Sequence, residues 1–105
     1  MNQKHKRMWI AVHALAYEVY SDPFISDKDY DKLAKEIDVS IPTDKPKIDE
    51  FFKKHYTKDS GQWVYMHPEK SKLHSLYKRL KATVKDVQLN HYIKANKPLR
   101  SVSSV

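Results

Sequence analysis

The prolines and the single glycine of this chain divide it into segments that are long enough for helices. These residues are Pro23, Pro42, Pro46, Gly61, Pro68 and Pro98. Proline interrupts a helix but fits its first turn, and glycine favours turns. Between these positions, apolar residues recur at spacings of three and four, the period of a helix. The sequence therefore predicts a mainly α fold, a small single-domain bundle of four to five helices.

Two helices are expected before residue 40. The first covers residues 3–20, which present a broad apolar face and contain neither proline nor glycine, and Asp22 with the following proline ends it. The second begins after Ser26, whose hydroxyl can cap the helix while Asp29 completes an approximate capping box. It should run to about Ile37. Together these helices are predicted to form a hairpin over residues 9–37.

A third helix is expected over residues 46–56, with Thr43 or Asp44 as its cap. Four large apolar residues would form its buried stripe. They are Ile48, Phe51, Phe52 and Tyr56. The turn around Gly61 then leads into residues 62–66, which we expect to be a short extended segment.

The fourth helical region is predicted over residues 68–96. Its apolar residues recur at helical spacing and are Leu73, Leu76, Tyr77, Leu80 and Val84. The pattern fits either one long helix or two helices separated near Lys85. Residues 99–105 are expected to form a flexible tail, so that the folded domain spans residues 1–98.

The composition favours a cytoplasmic protein without a membrane partner. With 105 residues, of which 40% are hydrophobic and 31% charged, the chain can bury one modest core. It contains no cysteine, which excludes disulfides and thiolate metal sites. No apolar run approaches the roughly 20 residues that cross a bilayer. The basic start resembles a signal peptide, but Glu18 and Asp22 follow instead of a small-residue cleavage site.

Positive charge is concentrated in the last third of the chain. Residues 1–68 carry 11 basic and 11 acidic residues, whereas residues 69–100 carry nine basic and two acidic ones. The candidate contact residues there are Lys70, Lys78, Arg79, Lys81, Lys85, Lys94, Lys97 and Arg100. Interleaved histidine and tyrosine rings, among them His74 and Tyr77, could add stacking to nonspecific phosphate contacts with a nucleic acid. The same charges also suit a partner protein with an acidic surface, or a merely solvated face.

One run near the start carries a known motif. Residues 17–33 read Tyr-Glu-Val-Tyr-Ser-Asp-Pro-Phe-Ile-Ser-Asp-Lys-Asp-Tyr-Asp-Lys-Leu. This run closely resembles the start of the adenylation region of bacterial NAD-dependent DNA ligases, where a small helical subdomain, Ia, grips the nicotinamide mononucleotide half of NAD. The residues that match in order and spacing are Tyr17, Pro23, Ile25, Asp27, Tyr30, Asp31 and Leu33. The resemblance is confined to about residues 9–37.

What the resemblance implies is a site for NAD or nicotinamide mononucleotide, with Tyr17, Asp27, Tyr30 and Asp31 as binding residues. The last three occupy positions i, i+3 and i+4 of one helix and so share a face. Each aromatic contact with the cationic nicotinamide ring is worth about 0.5 to 2 kcal/mol. The same residues also have a structural interpretation, in which the tyrosines pack two helices together and the acids stabilise a helix start.

The sequence contains no motif typical of catalysis or metal binding. The Lys-x-Asp-Gly adenylation motif of the ligases is absent, because the acid in Lys58-Asp-Ser-Gly61 stands one place early. The six histidines form no i, i+4 pair, and the serines beside His74 lack a nucleophile elbow. We therefore expect a non-catalytic binding module that requires no cofactor. A compact genome such as a bacteriophage's would suit such a module, engaging a nicotinamide nucleotide or a host protein.

Overall fold

The computed structural model describes the backbone of residues 1–95 and the side chains of residues 1–83. The elements are α1 (Gln3–Glu18), α2 (Asp27–Lys35), α3 (Pro46–His55), a 3-10 helix (Gln62–Met66) and α4 (Lys70–Ala95). No strand occurs within residues 1–95. The predicted mainly helical bundle is confirmed, and its fourth region is one continuous helix rather than two. The predicted tail at 99–105 lies outside the described residues.

α1 lies at the centre of the bundle, in contact with α2, α4 and the 3-10 helix. Between Ile10 and Ala16, every residue except His13 is at most 1% exposed. Such a helix is covered on almost its whole circumference, as expected of an interior element rather than a surface one. Met8 and Tyr17, which lie outside this stretch, are exposed despite their apolar character.

Side chains at the turn between α1 and α2 stack on and hydrogen-bond to α4. α1 ends at Glu18, two residues before the predicted end. Tyr20 leaves the helix and stacks on Tyr77 of α4, with ring centroids 3.9 Å apart and planes 7° from parallel. Asp22 accepts hydrogen bonds from the Tyr77 hydroxyl, at 2.8 Å, and from the Lys81 ammonium. The early end of α1 therefore places Tyr20 where it contacts another helix.

Ser21 adopts a left-handed backbone conformation in this turn, with φ of 50°. Residues with a Cβ are strained there, whereas glycine is not. Ser21→Gly should therefore leave the free energy of unfolding unchanged or raise it by up to about 1 kcal/mol. The control is Ser75→Gly inside α4, which should lower it by about 0.5 kcal/mol. Urea unfolding measures both variants, and a loss at Ser21 as large as that at Ser75 would contradict the expectation.

The start of α2 follows the prediction. The Ser26 hydroxyl accepts a hydrogen bond from the backbone N–H of Asp29 at 3.1 Å, as an N-cap does. α2 ends at Lys35, two residues short of the predicted end. Just beyond it, the Gln3 side chain of α1 accepts a hydrogen bond from the Asp38 N–H at 2.9 Å. The Gln3 side chain, which is distant in sequence, thus accepts the hydrogen bond of a backbone N–H that would have bonded within α2 if the helix had continued.

The predicted cap of α3 is wrong. The N-cap residue is Lys45, without a side-chain cap, rather than Thr43 or Asp44. Thr43 instead donates its backbone N–H and its hydroxyl to the Asp49 carboxylate, at 2.7 and 2.6 Å. The loop is thereby tied to the first turn of α3 through a side chain of the helix. The predicted apolar stripe is confirmed: Phe51 and Phe52 are buried, and Ile48 and Tyr56 pack against the core.

The expected extended segment is also wrong, because Gln62–Met66 forms a 3-10 helix. Successive side chains of a strand point to opposite faces. Here the neighbours Trp63 and Val64 are both buried, and the next two, Tyr65 and Met66, are both exposed. A tight helical turn places two consecutive apolar residues against the core, which a strand at this surface could not do.

Candidate functional site: a cleft between α1 and α2

A cleft of about 400 Å³ opens between the end of α1, the start of α2 and the loop at residues 58–61. The four residues predicted to bind a nucleotide all line this α1–α2 cleft: Tyr17, Asp27, Tyr30 and Asp31. Tyr17 comes from the last turn of α1, and the others come from the face of α2 that the i, i+3, i+4 spacing defines. The volume lies in the range of small-molecule sites, about 300 to 1,000 Å³.

The two tyrosines of the cleft differ in burial. Tyr17 is 56% exposed, so its ring is accessible from solvent. Tyr30 is half-buried and packs against the core. Asp27 and Asp31 are exposed. The purely structural interpretation of the motif therefore suits Tyr30, whereas packing between helices does not account for Tyr17.

The hydroxyl of Tyr30 is buried but has no hydrogen-bond partner among the described side chains and backbone. Burial, followed by the negative charges of Glu18 and Asp31, raises the pKa of Tyr30 to about 12. The hydroxyl is therefore neutral at physiological pH and able to donate a hydrogen bond. Leaving such a group unpaired costs about 1 to 3 kcal/mol, so an unpaired buried hydroxyl requires an explanation.

Gly61 allows the loop to approach the helices closely at this point. A Cβ added at Gly61 would lie 3.2 Å from the Ala14 Cβ and 3.4 Å from the Tyr30 hydroxyl oxygen. The first distance is tighter than almost all Cβ contacts in proteins. The only glycine of the chain is thus explained by close approach, since its φ of −102° is open to any residue.

His13 also lines the cleft, and it carries a second buried polar atom that is unpaired. Its Nδ1 is buried and has no partner within the described part of the chain. The ring stacks on Trp9 at 5.8 Å and meets the edge of Phe24 at 6.1 Å. Burial lowers the pKa of His13, which keeps the imidazole neutral at physiological pH.

The ionisable groups that line the cleft are mainly acidic. Four carboxylates, those of Glu18, Asp27, Asp31 and Asp59, face one ammonium, that of Lys58. A concave surface lined by one sign of charge attracts ligands of the opposite sign. The cleft is therefore suited to a ligand with a cationic group.

Sequence reasoning missed part of this site. Residues 58–61 were interpreted only as a turn and as an incomplete adenylation motif, although they close one side of the cleft. His13 lies in the most apolar stretch of α1 and carries no local sign of a binding role. The isolated glycine at 61 was the one available signal.

Four of the eight predicted basic contact residues have described side chains. Lys70, Lys78, Arg79 and Lys81 are exposed on α4, although Lys81 is bonded to Asp22. Lys85 and Lys94 belong to α4, but their side chains lie outside the described residues, as do Lys97 and Arg100 entirely.

The proposed stacking role of His74 and Tyr77 is not supported by their surroundings. Tyr77 is 7% exposed and stacked on Tyr20. The Tyr20 hydroxyl also shares a 2.6 Å hydrogen bond with His74 Nδ1. Both rings are therefore engaged within the fold and do not form an open platform for bases.

Comparisons with protein-family models, with curated proteins and with solved structures found no match for this chain. Among the described helices, none is long and apolar enough to cross a membrane. In the same part of the chain, no three histidine, aspartate or glutamate side chains are grouped as a metal ion would require.

Proposed function

We propose that this protein is a small non-catalytic binding module, similar to subdomain Ia of bacterial NAD-dependent DNA ligases, that binds a nicotinamide nucleotide in the α1–α2 cleft. The proposal is carried by one observation: the four motif residues line a single acidic cleft. One of them, Tyr30, also has a buried hydroxyl without a hydrogen-bond partner among the described residues. The exposed ring of Tyr17 could stack on the cationic nicotinamide. Asp27 and Asp31 could accept hydrogen bonds from its amide or ribose, and Tyr30 could donate one.

The charge of the cleft supports a preference for the oxidised nucleotide. Oxidised nicotinamide carries a positive charge on its ring, and the reduced form does not. A cation over an aromatic face gains about 0.5 to 2 kcal/mol, or roughly two- to thirtyfold in affinity. NAD⁺ should therefore bind more tightly than NADH, and AMP, which lacks the nicotinamide ring, should bind weakly or not at all.

Isothermal titration with nicotinamide mononucleotide tests the proposal. We expect saturable binding by the wild-type protein and a loss of at least about tenfold in affinity for Asp31→Asn, since a charged acceptor is worth about 1.5 to 3 kcal/mol. Asp29→Asn is the matched control, because Asp29 is exposed on the same helix but does not line the cleft. It should bind as the wild type does.

Tyr30→Phe separates binding from packing. It removes only the unpaired hydroxyl, so the fold should be kept or slightly stabilised. If the hydroxyl contacts the nucleotide, the affinity falls; if Tyr30 only packs, the affinity is unchanged and its assignment is wrong. The absence of heat at millimolar nucleotide, with the wild-type protein shown to be folded, would refute the proposed function itself.

Nonspecific nucleic-acid binding through α4 is the second proposal. Lys70, Lys78 and Arg79 are exposed and support it. Because His74 and Tyr77 are engaged in the fold, such binding would depend on phosphate contacts and would weaken steeply as salt is raised.

A further inference from the structure

A second concavity, of about 610 Å³, lies between the first half of α1, the start of α3 and α4. None of its lining residues belongs to the α1–α2 cleft. Its floor is aliphatic, formed by Met8, Ile48, Leu73 and Leu76. Met8 is 39% exposed although it is a large apolar side chain. We call this concavity the basic groove, because cationic side chains also line it.

The accessible cations of the basic groove are Lys4, Lys45, Lys72 and Arg79, whereas Arg7 also lines it but is buried and paired with Asp49. One carboxylate, that of Glu69, is also in the lining. Among the side chains of residues 1–83, no carboxylate lies within 4 Å of the charged groups of Lys45 or Arg79. Cationic side chains therefore outnumber carboxylates in the lining of the groove.

The other two lysines form ion pairs that a ligand could replace. Lys4 pairs with Asp44 at 3.1 Å, and Lys72 pairs with Glu69 at 3.2 Å. The four side chains are 37 to 71% exposed. Exposed pairs of this kind contribute about 1 kcal/mol or less, so carboxylates of a partner can compete for these lysines.

The α4 wall of the groove carries small side chains. Ser71 and Ser75 stand one turn apart on the α4 wall, and both line the groove. Their small side chains leave room beside the aliphatic floor. Methionine in the floor can adapt to the side chains placed on it.

We propose that the basic groove docks an amphipathic helix of a partner protein, with leucine or isoleucine on its buried face and aspartate or glutamate along its flanks. The aliphatic floor receives the apolar face, and the four cations pair with the acidic flanks. A nucleic acid fits the same surface less well. Its phosphates would cover an apolar floor, and no phenylalanine, tyrosine or tryptophan of the described side chains lines the groove to stack a base.

The probe for this proposal is a fluorescently labelled synthetic peptide of about 20 residues, long enough to span about 30 Å as a helix. It carries leucine at i, i+3, i+4 and i+7 positions and glutamate on both flanks. A scrambled peptide of the same composition keeps the charge but loses the apolar face. Fluorescence anisotropy should show saturable binding of the amphipathic peptide and at least about tenfold weaker binding of the scrambled one.

Two double variants test whether the peptide binds in the basic groove. Both variants change the net charge by the same amount. Lys45→Glu with Arg79→Glu reverses two cations of the groove and should weaken peptide binding by at least about tenfold. Lys47→Glu with Lys78→Glu reverses two exposed cations outside it and should change the affinity by less than about threefold. Circular dichroism confirms that each variant is folded.

The floor is tested by Met8→Glu, with Ile41→Glu as its control. The two residues are 39% and 42% exposed, and only Met8 lines the groove. Met8→Glu should abolish measurable peptide binding, and Ile41→Glu should not. Any of three results would overturn the proposal. The groove and control variants could have equal effects, the scrambled peptide could bind as tightly as the amphipathic one, or no binding could occur at millimolar peptide. Tighter binding of a thymidine oligonucleotide of similar length would identify the surface as a nucleic-acid site instead.

Discussion

Replacing Arg7 with methionine is expected to lower the free energy of unfolding by about 3 to 5 kcal/mol, the usual cost of removing one partner of a buried ion pair. Arg7 is 2% exposed, although it is charged. Its guanidinium donates to the Asp49 carboxylate at 2.7 Å and to the carbonyl oxygens of Asp38 and Ile41, each at 2.6 Å. Methionine would keep much of the side-chain volume but would leave these three acceptors without that donor.

The effect should be large because Arg7 organises the chain between α2 and α3. Two of its acceptors belong to that connection and the third belongs to α3. Burial by itself would raise the pKa of Asp49, but hydrogen bonds from Thr43 and the charge of Arg7 lower it overall, so the carboxylate stays ionised. The Arg7 guanidinium also lies 5.8 Å from the centroid of the Phe52 ring, which joins this network to the core.

Lys6→Met is the matched control for Arg7→Met. Lys6 is the preceding residue of α1, and it forms a 3.2 Å ion pair with Glu36, whose side chain is 43% exposed. Its removal changes the net charge equally but should cost less than about 1 kcal/mol. Urea unfolding at neutral pH compares the two variants. If both lose the same stability, the interpretation of Arg7 as an organising buried charge is wrong.

The second large effect is a loss of stability in mild acid that arises from His67. This residue is 6% exposed, and its Nδ1 accepts a hydrogen bond from the backbone N–H of Glu69 at 3.0 Å. Its ring meets the ring of Phe51 at 5.1 Å. Burial lowers the pKa of His67 to about 4, although the nearby charge of Glu69 opposes the shift. Protonation would place a charge in the core and remove the acceptor.

The direction of the pH dependence follows from the two pKa values. The unfolded chain binds a proton at His67 near pH 6.5, and the folded protein binds it only near pH 4. Between these values the unfolded state holds more protons, so the free energy of unfolding falls as the pH is lowered. Allowing for some screening by solvent, we expect His67 to account for a loss of about 1 to 2 kcal/mol between pH 7 and pH 5.

His67→Asn isolates this contribution. Asparagine cannot be protonated in this range and keeps an oxygen that can accept the hydrogen bond from Glu69. Its stability at pH 7 should be lower, since the ring contact with Phe51 is lost, but its decline between pH 7 and pH 5 should be smaller than that of the wild type. His13, whose pKa burial also lowers, is present in both proteins. Parallel declines would show that His67 is not the responsible group.

The cleft and the basic groove divide the surface of α1 between its two ends. The nucleotide proposal concerns residues from His13 onward, and the docking proposal concerns residues up to Met8. Because the two sites share no lining residue, loss of nucleotide binding in Asp31→Asn and loss of peptide binding in Met8→Glu should occur independently. Either proposal can therefore fail without affecting the other.

Local sequence patterns predicted which segments are helical, but they predicted the ends of the helices less accurately. The Ser26 cap, the single long α4 as one of two alternatives, and the apolar stripe of α3 are all present. α1 and α2 each end two residues before the predicted ends. Tyr20, just after α1, stacks on Tyr77 of α4, and the Gln3 side chain accepts a hydrogen bond from the backbone just after α2. The N-cap of α3 was wrong because Thr43 bonds to a side chain within the helix instead of capping it.

For the candidate cleft, too, local sequence patterns predicted only part of the arrangement. A helical period is enough to place Asp27, Tyr30 and Asp31 on one face, so that part of the site could be predicted from spacing alone. The loop at 58–61 reaches the cleft only through the packing of the 3-10 helix on α1. No local sequence pattern predicts the position of such a loop.

The order of the helices, the cap of α2 and the face on which three motif residues lie could be predicted from the sequence alone. These features depend on interactions within a few residues, which periodicity and capping patterns record. The enclosure of α1, the burial of Arg7 and the 3-10 helix at residues 62–66 depend instead on tertiary packing. The partners of Arg7 lie 31 to 42 residues away, and their positions follow from how the helices pack rather than from the residues around it.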